Sequence, residues 1–168
     1  MLFLIYLIIS SILRNSKYLF LIFIFIVPFL CLSQNKIPYK KGEVLSYDIS
    51  FLGVKVGYGD LNISSLVNID GKSCFHIIGS GRTTPFFDIF FKVRDKYETF
   101  LDTSLILPVR FKRDISEGGF KKKQLYNFNH LDSVVYFQDT LHQISDSTQD
   151  MLSALFFART FDGNNLKI

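Results

Sequence analysis

The chain has 168 residues, 48% of them hydrophobic and 16% aromatic, with 19 basic against 15 acidic side chains. That length suits one domain, and a formal charge of +4 is too small to argue for nucleic acid or a charged membrane surface. Only Cys31 and Cys74 are present, which excludes a disulfide framework.

Residues 1–33 read as a targeting segment. Arg14 and Lys17 are its only charges, and the apolar run Tyr18 to Leu32 follows them. A basic region, an apolar run and small residues before a cleavage point define a secretory signal. Cys31 and Ser33 fill the minus-three and minus-one positions if cleavage falls before Gln34, and Pro28 breaks the apolar helix near its end. The run of about 15 residues is shorter than the roughly 18 to 20 of a spanning helix. Two alternatives stand beside cleavage: an uncleaved anchor in the inner membrane, and lipidation of Cys31, which the bulky Leu30 disfavours. The apolar stretch before Arg14 has no account in a signal peptide. Removing residues 1–33 leaves 17 basic against 15 acidic side chains, a balance of +2, and Cys74 alone.

Residues 34–41 form a linker with Pro38, and 42–168 a β-rich domain. From Glu43 to Phe51, apolar Leu45, Tyr47, Ile49 and Phe51 alternate with polar residues, which predicts a half-buried strand. A second strand runs over Val54 to Leu66. Its apolar parity changes around Gly59-Asp60, predicting a β-bulge there. Asn68-Ile-Asp70-Gly71 predicts a type I′ hairpin turn, with a strand beyond it through Phe75, Ile77, Gly79 and Gly81. Thr84 to Val93 is the least regular segment, a helical turn or loop dropping Phe86, Phe87, Phe90 and Phe91 into the core. Strands follow over Lys96 to Leu101, Val109 to Ile115, Phe120 to Phe128 and Val134 to Asp139, with turns at Leu107-Pro108, Glu117-Gly118-Gly119 and Asn129 to Ser133. One helix closes the series, carrying Met151, Leu152, Leu155 and Ala158 at helical spacing. Ser147 is its expected cap, with Asp150 three residues on, and Asp162-Gly163 its stop. The expected fold is mainly β: a curved antiparallel sheet, or an open barrel or sandwich, with one C-terminal helix.

No constellation identifies a reaction. His76, His130 and His142 are scattered without metal-ligand spacing, so neither a metal site nor a cofactor is expected. Cys74 reads as a small strand residue without a base to polarise it. Gly57-Tyr-Gly59 and Gly79-Ser-Gly81 lie within strands, not before helices where phosphates are cradled. Asp95 and Glu98, three apart on a strand, point to opposite faces and make a poor acid-base pair. Those charges and the run Lys121 to Lys123 read as solvated faces, with cross-strand pairing to Arg110, Lys112 and Arg113.

Several ordered segments carry a resemblance: Gly42-Glu-Val-Leu-Ser-Tyr47, His76-Ile-Ile-Gly-Ser-Gly-Arg-Thr83, Phe90 to Asp102, Glu117-Gly-Gly-Phe120 and Gln149 to Arg159. Together they resemble the exported family called domain of unknown function 3108, over Lys41 to about Asp162. The resemblance implies an envelope protein of Gram-negative bacteria and brings no catalytic or binding residues. Members of that family run past the helix into further strands, which implies a chain truncated at its C-terminus.

The expected function is therefore non-enzymatic: a periplasmic or otherwise extracytoplasmic protein binding an apolar or amphipathic ligand, such as a lipid, or an envelope partner. The candidate binding residues are Phe86, Phe87, Phe90 and Phe91. The rival classes are a hydrolase or lyase of envelope polymers using Asp95, Glu98 or His76, and a purely structural module.

Overall fold

A computed structural model describes residues 37–161. The targeting segment, the cleavage point before Gln34 and the Asp162-Gly163 helix stop lie outside the described residues.

Eight strands form one antiparallel sheet in sequential order: β1 (Val44–Phe51), β2 (Val54–Ile69), β3 (Lys72–Thr83), β4 (Arg94–Asp102), β5 (Pro108–Glu117), β6 (Phe120–Asn129), β7 (Val134–Phe137) and β8 (Thr140–Gln143). A short helix α1 (Pro85–Asp88) follows β3, and α2 (Met151–Ala158) follows β8. The sheet is mainly β with a single C-terminal helix, as expected, and it does not close, since β1 and β8 do not pair. It is a single sheet, not a sandwich of two. Turn chemistry sets its order: Asp70 (φ 51°) and Gly71 (φ 83°) take the paired positive angles of a type I′ turn, and Gly118 and Gly119 turn β5 into β6.

Alternation sorts the side chains onto two faces. One face gathers Ile63, Phe75, Ile77, Leu101 and Phe111 into the main core, covered by Leu152 and Phe156 of α2 and by Tyr39. Opposite it, Cys74, Phe100 and Val109 pack with Val67 and Ile69 into a smaller cluster. Burial, followed by the Asp102 charge, pushes the Cys74 thiol up to about 11, so it stays protonated and unreactive at neutral pH.

Four expectations are corrected. Gly59 and Asp60 pair without a break; the parity changes of β2 fall at Val56 and Ser64, each the extra residue at a register shift. The segment from Val134 is a hairpin of two strands, turned at Gln138-Asp139 with Gln138 at φ 46°. Asp150, not Ser147, caps α2. Its carboxylate accepts from the N–H groups of Leu152 and Ser153 at 2.8 and 2.9 Å, and the Ser153 hydroxyl accepts from the Asp150 N–H at 2.7 Å. Finally, the phenylalanines of Thr84 to Val93 do not enter the core. Pro85 starts only one helical turn, which leaves Phe86, Phe90 and Phe91 exposed at an end of the sheet.

Candidate functional site

α2 is anchored to the sheet through its N-terminus. The Thr99 hydroxyl of β4 donates to Asp150, and both groups are buried. From that anchor the helix runs over β3, where a glycine lets it approach. At Gly79 an added Cβ would stand 2.9 Å from Leu152 Cδ2.

Beside the helix the sheet is paved with glycine. Gly59 of β2 pairs directly with Gly81 of β3, with Tyr47 of β1 beyond Gly59 and Asp95 of β4 beyond Gly81. No side chain rises from the middle of that row. The result is an apolar groove of about 630 Å³. Its walls are Leu45, Tyr47 and Ile49 on one side and Met151 and Leu155 of α2 on the other, with Leu61 and Tyr97 along the floor. That volume falls within the range of small-molecule sites, roughly 300 to 1,000 Å³.

The glycines of the floor have different causes. Gly79 is required by helix packing. Gly81 is not: a Cβ there meets nothing within 4 Å. At Gly59 the nearest atom, Ile49 Cδ1, would be 3.7 Å away, an ordinary contact. Glycine inside a strand costs about 0.5 to 1 kcal/mol relative to alanine, and it marks a bend or a place where something comes close. Neither backbone angle nor packing asks for it at Gly59 and Gly81. Their contribution is empty space above the sheet.

The rim of the groove is polar. Arg159 pairs with Glu43 at 2.6 Å and lies over the rings of Tyr39 and Phe156.

The other face holds a hydrogen-bonded chain. His76 Nε2 lies 2.7 Å from Glu98 Oε2, and Ser64 Oγ lies 3.1 Å from His76 Nδ1. The His76 ring stacks on Phe100 at 4.6 Å. For Glu98, burial raises the carboxyl, but hydrogen bonds from Lys96 and His76 outweigh it, and the net shift is downward. The connectivity matches nucleophile, base and orienting acid, yet the Ser64 hydroxyl also donates to the His76 carbonyl at 3.1 Å. Ser64 sits on an open sheet face, and its side chain is placed by the bulge. Asp95, the other expected acid, is on the groove face. There it accepts from the Ser116 N–H at 3.0 Å, so the structure does not bring it to His76.

Among the described residues no group of three or more histidine, cysteine, aspartate or glutamate side chains is arranged to hold a metal. Phe86, Phe87, Phe90 and Phe91 lie off the groove, in and after α1, where Phe86 meets Phe87 and Phe90 edge-on. The groove residues are not apparent in the sequence, where the two Gly-x-Gly runs invite comparison only with phosphate loops. Their placement on paired strands, which clears one face, was the available signal.

Fold and site together define a class: a single open antiparallel sheet that carries one helix and an apolar groove beside it. The family model described as "Protein of unknown function (DUF3108)" matches residues 46–167, and the chain belongs to that family. No curated protein and no solved structure matches the chain.

Proposed function

We propose that this chain is an exported binding protein whose groove takes the apolar part of an amphipathic ligand, such as an acyl chain, with the polar end at the rim near Arg159. The observation that carries this reading is the Gly59–Gly81 pair, which keeps a strip of the sheet bare between half-exposed apolar walls. About a dozen buried methylenes gain roughly 10 kcal/mol. Against an association cost of about 4 kcal/mol, the low end of the range, some 6 kcal/mol remains. That corresponds to a dissociation constant of tens of micromolar at the tightest.

Gly81→Leu tests it. The substitution fills the groove from a position with open space around it, so the fold survives. Calorimetric titration with a long-chain fatty acid and a lysophospholipid shows binding to the unaltered chain and at least tenfold weaker binding to the variant. Equal affinity for both rejects the groove.

Export to an extracytoplasmic compartment is part of the proposal and rests on the segment from Lys17 to Ser33. The protein recovered from cells then starts at Gln34. An intact N-terminus would point to the membrane-anchored form instead.

A second reading, hydrolysis or lyase chemistry, is favoured only by the chain from Ser64 through His76 to Glu98.

A further inference from the structure

Because the strands run antiparallel in sequential order, the β1–β2, β3–β4, β5–β6 and β7–β8 connections, the last carrying exposed Asp139, emerge on the same side of the sheet, and the first three form one group. Backbone contacts hold them together there. The Thr84 N–H donates to the Val56 carbonyl at 2.9 Å and the Gly118 N–H to the Lys92 carbonyl at 2.9 Å, while Val93 bridges Glu117.

All three connections present apolar side chains to solvent. Leu52 is 88% exposed at the first, Ile89 and Phe90 are 78% and 73% exposed at the second, and Phe120 is exposed at the third. Single exposed apolar residues are ordinary, but several converging from separate segments make a patch that marks an interaction site. Local structure does not require them. Leu52 sits at φ 49°, a left-handed angle that suits glycine or asparagine better than leucine.

Charge indicates what the patch meets. Lys92 follows Phe91, and Lys121 and Lys122 follow Phe120; all three are exposed, and none forms an ion pair among the described residues. The nearby Asp88 is already held by Arg94. At the opposite end the turns contain Asp70, which pairs with Arg110, and Asp132; Lys72 opens β3 there, and Leu105 and Leu131 are exposed. The first end is set apart by its three unpaired lysines beside Leu52, Ile89, Phe90 and Phe120.

We infer that this end docks on an anionic phospholipid bilayer, with Leu52, Ile89 and Phe90 entering the headgroup boundary and Lys92, Lys121 and Lys122 meeting lipid phosphates. Apolar insertion combined with lysine attraction is the pattern of interfacial binding. The inference stands on different residues from the groove, so the two succeed or fail separately.

The chain contains no tryptophan, which allows a local test. Full-length Phe90→Trp and Leu131→Trp proteins, the second reporting from the opposite end, are mixed with vesicles. These are phosphatidylglycerol-containing or pure phosphatidylcholine, with a nitroxide quencher at headgroup depth. On anionic vesicles the reporter at position 90 blue-shifts and is quenched, while that at 131 does not change. The contrast is local, so attachment through residues 1–33 does not produce it. Lys121→Gln with Lys122→Gln weakens docking about fivefold per lysine at low ionic strength, and Gly81→Leu leaves it unchanged. Equal responses of the two reporters, or no response at position 90, overturns the inference. A blue shift without vesicles that grows with protein concentration also overturns it, by assigning the patch to a second copy of the chain.

Discussion

Leu152 of α2 stands directly over Gly79 of β3, close enough that a Cβ on that glycine would lie 2.9 Å from Leu152 Cδ2 and 3.2 Å from Leu61 Cδ2. That contact sets how near the helix comes to the sheet, and so the depth of the groove beside it. Gly79→Ala forces both leucines to shift, an overpacking cost of about 1 to 3 kcal/mol that exceeds the roughly 0.4 to 1 kcal/mol gained from a stiffer unfolded chain. Gly81→Ala has only the gain. Urea unfolding therefore shifts in opposite directions for two glycines two residues apart. Shifts of the same sign would contradict the packing described.

Asp150 makes stability depend on pH in a direction opposite to an ordinary paired carboxylate. Burial raises its carboxyl above the usual 3.8, and hydrogen bonds from Thr99 and from the Leu152 and Ser153 N–H groups reduce that rise without cancelling it. With a raised folded-state pKa, the stability linked to its protonation is complete below 3.8 and lost as pH rises through the folded value. Asp150→Asn keeps an oxygen for the helix cap and does not titrate. The stability difference, unaltered minus variant, is expected to fall as pH rises from below 3.8 through the raised folded-state value. Relative to Asp150→Asn, Asp150→Ala removes the cap and costs a further ~0.5 to 2 kcal/mol at any pH. A difference that rises with pH would reject the burial argument.

The chain from Ser64 through His76 to Glu98 is expected to be structural. A fluorophosphonate probe should leave Ser64 unlabelled, and Ser64→Ala should change stability by no more than about 1 kcal/mol. Labelling abolished by His76→Ala would instead establish an activated serine. Glu98, whose carboxyl is lowered from 4.5, contributes stability present above that pH and lost as pH falls through the lowered value. Glu98→Gln should remove that acid-side loss.

Tyr39 packs edge-on against Phe75 and Phe156 at 5.6 and 5.0 Å, and its buried hydroxyl has no partner among the described residues. Burial, only partly offset by Arg159, pushes the phenol up to about 12. Tyr39→Phe keeps the ring contacts and removes an unsatisfied group, which predicts a gain of up to about 1 kcal/mol in thermal or urea unfolding. A loss would mean that the hydroxyl is satisfied.

The sheet was largely legible because its causes are local. Alternation through Leu45, Tyr47 and Ile49 and the Asp70-Gly71 turn fix strands and register within a few residues. The long-range features were not. The bulges at Val56 and Ser64 depend on what lies on the neighbouring strand, so the parity of β2 alone misplaced them. Phe86 to Phe91 looked like core because apolar residues bury themselves whenever the backbone allows it; Pro85 and a single helical turn carry them past the end of the sheet. The groove was hidden for a related reason. It is formed by side chains that are absent, and Gly59 and Gly81 become a feature only once β2 and β3 pair.

The groove is tested most directly by native mass spectrometry of the full-length protein purified from its own cells, beside its Gly81→Leu variant. The unaltered protein should carry a lipid-sized adduct that dissociates on collisional activation, and the variant should fly bare. An unaltered protein without adduct, or a variant that carries the same adduct at the same occupancy, would contradict ligand binding between α2 and the glycine-paved sheet.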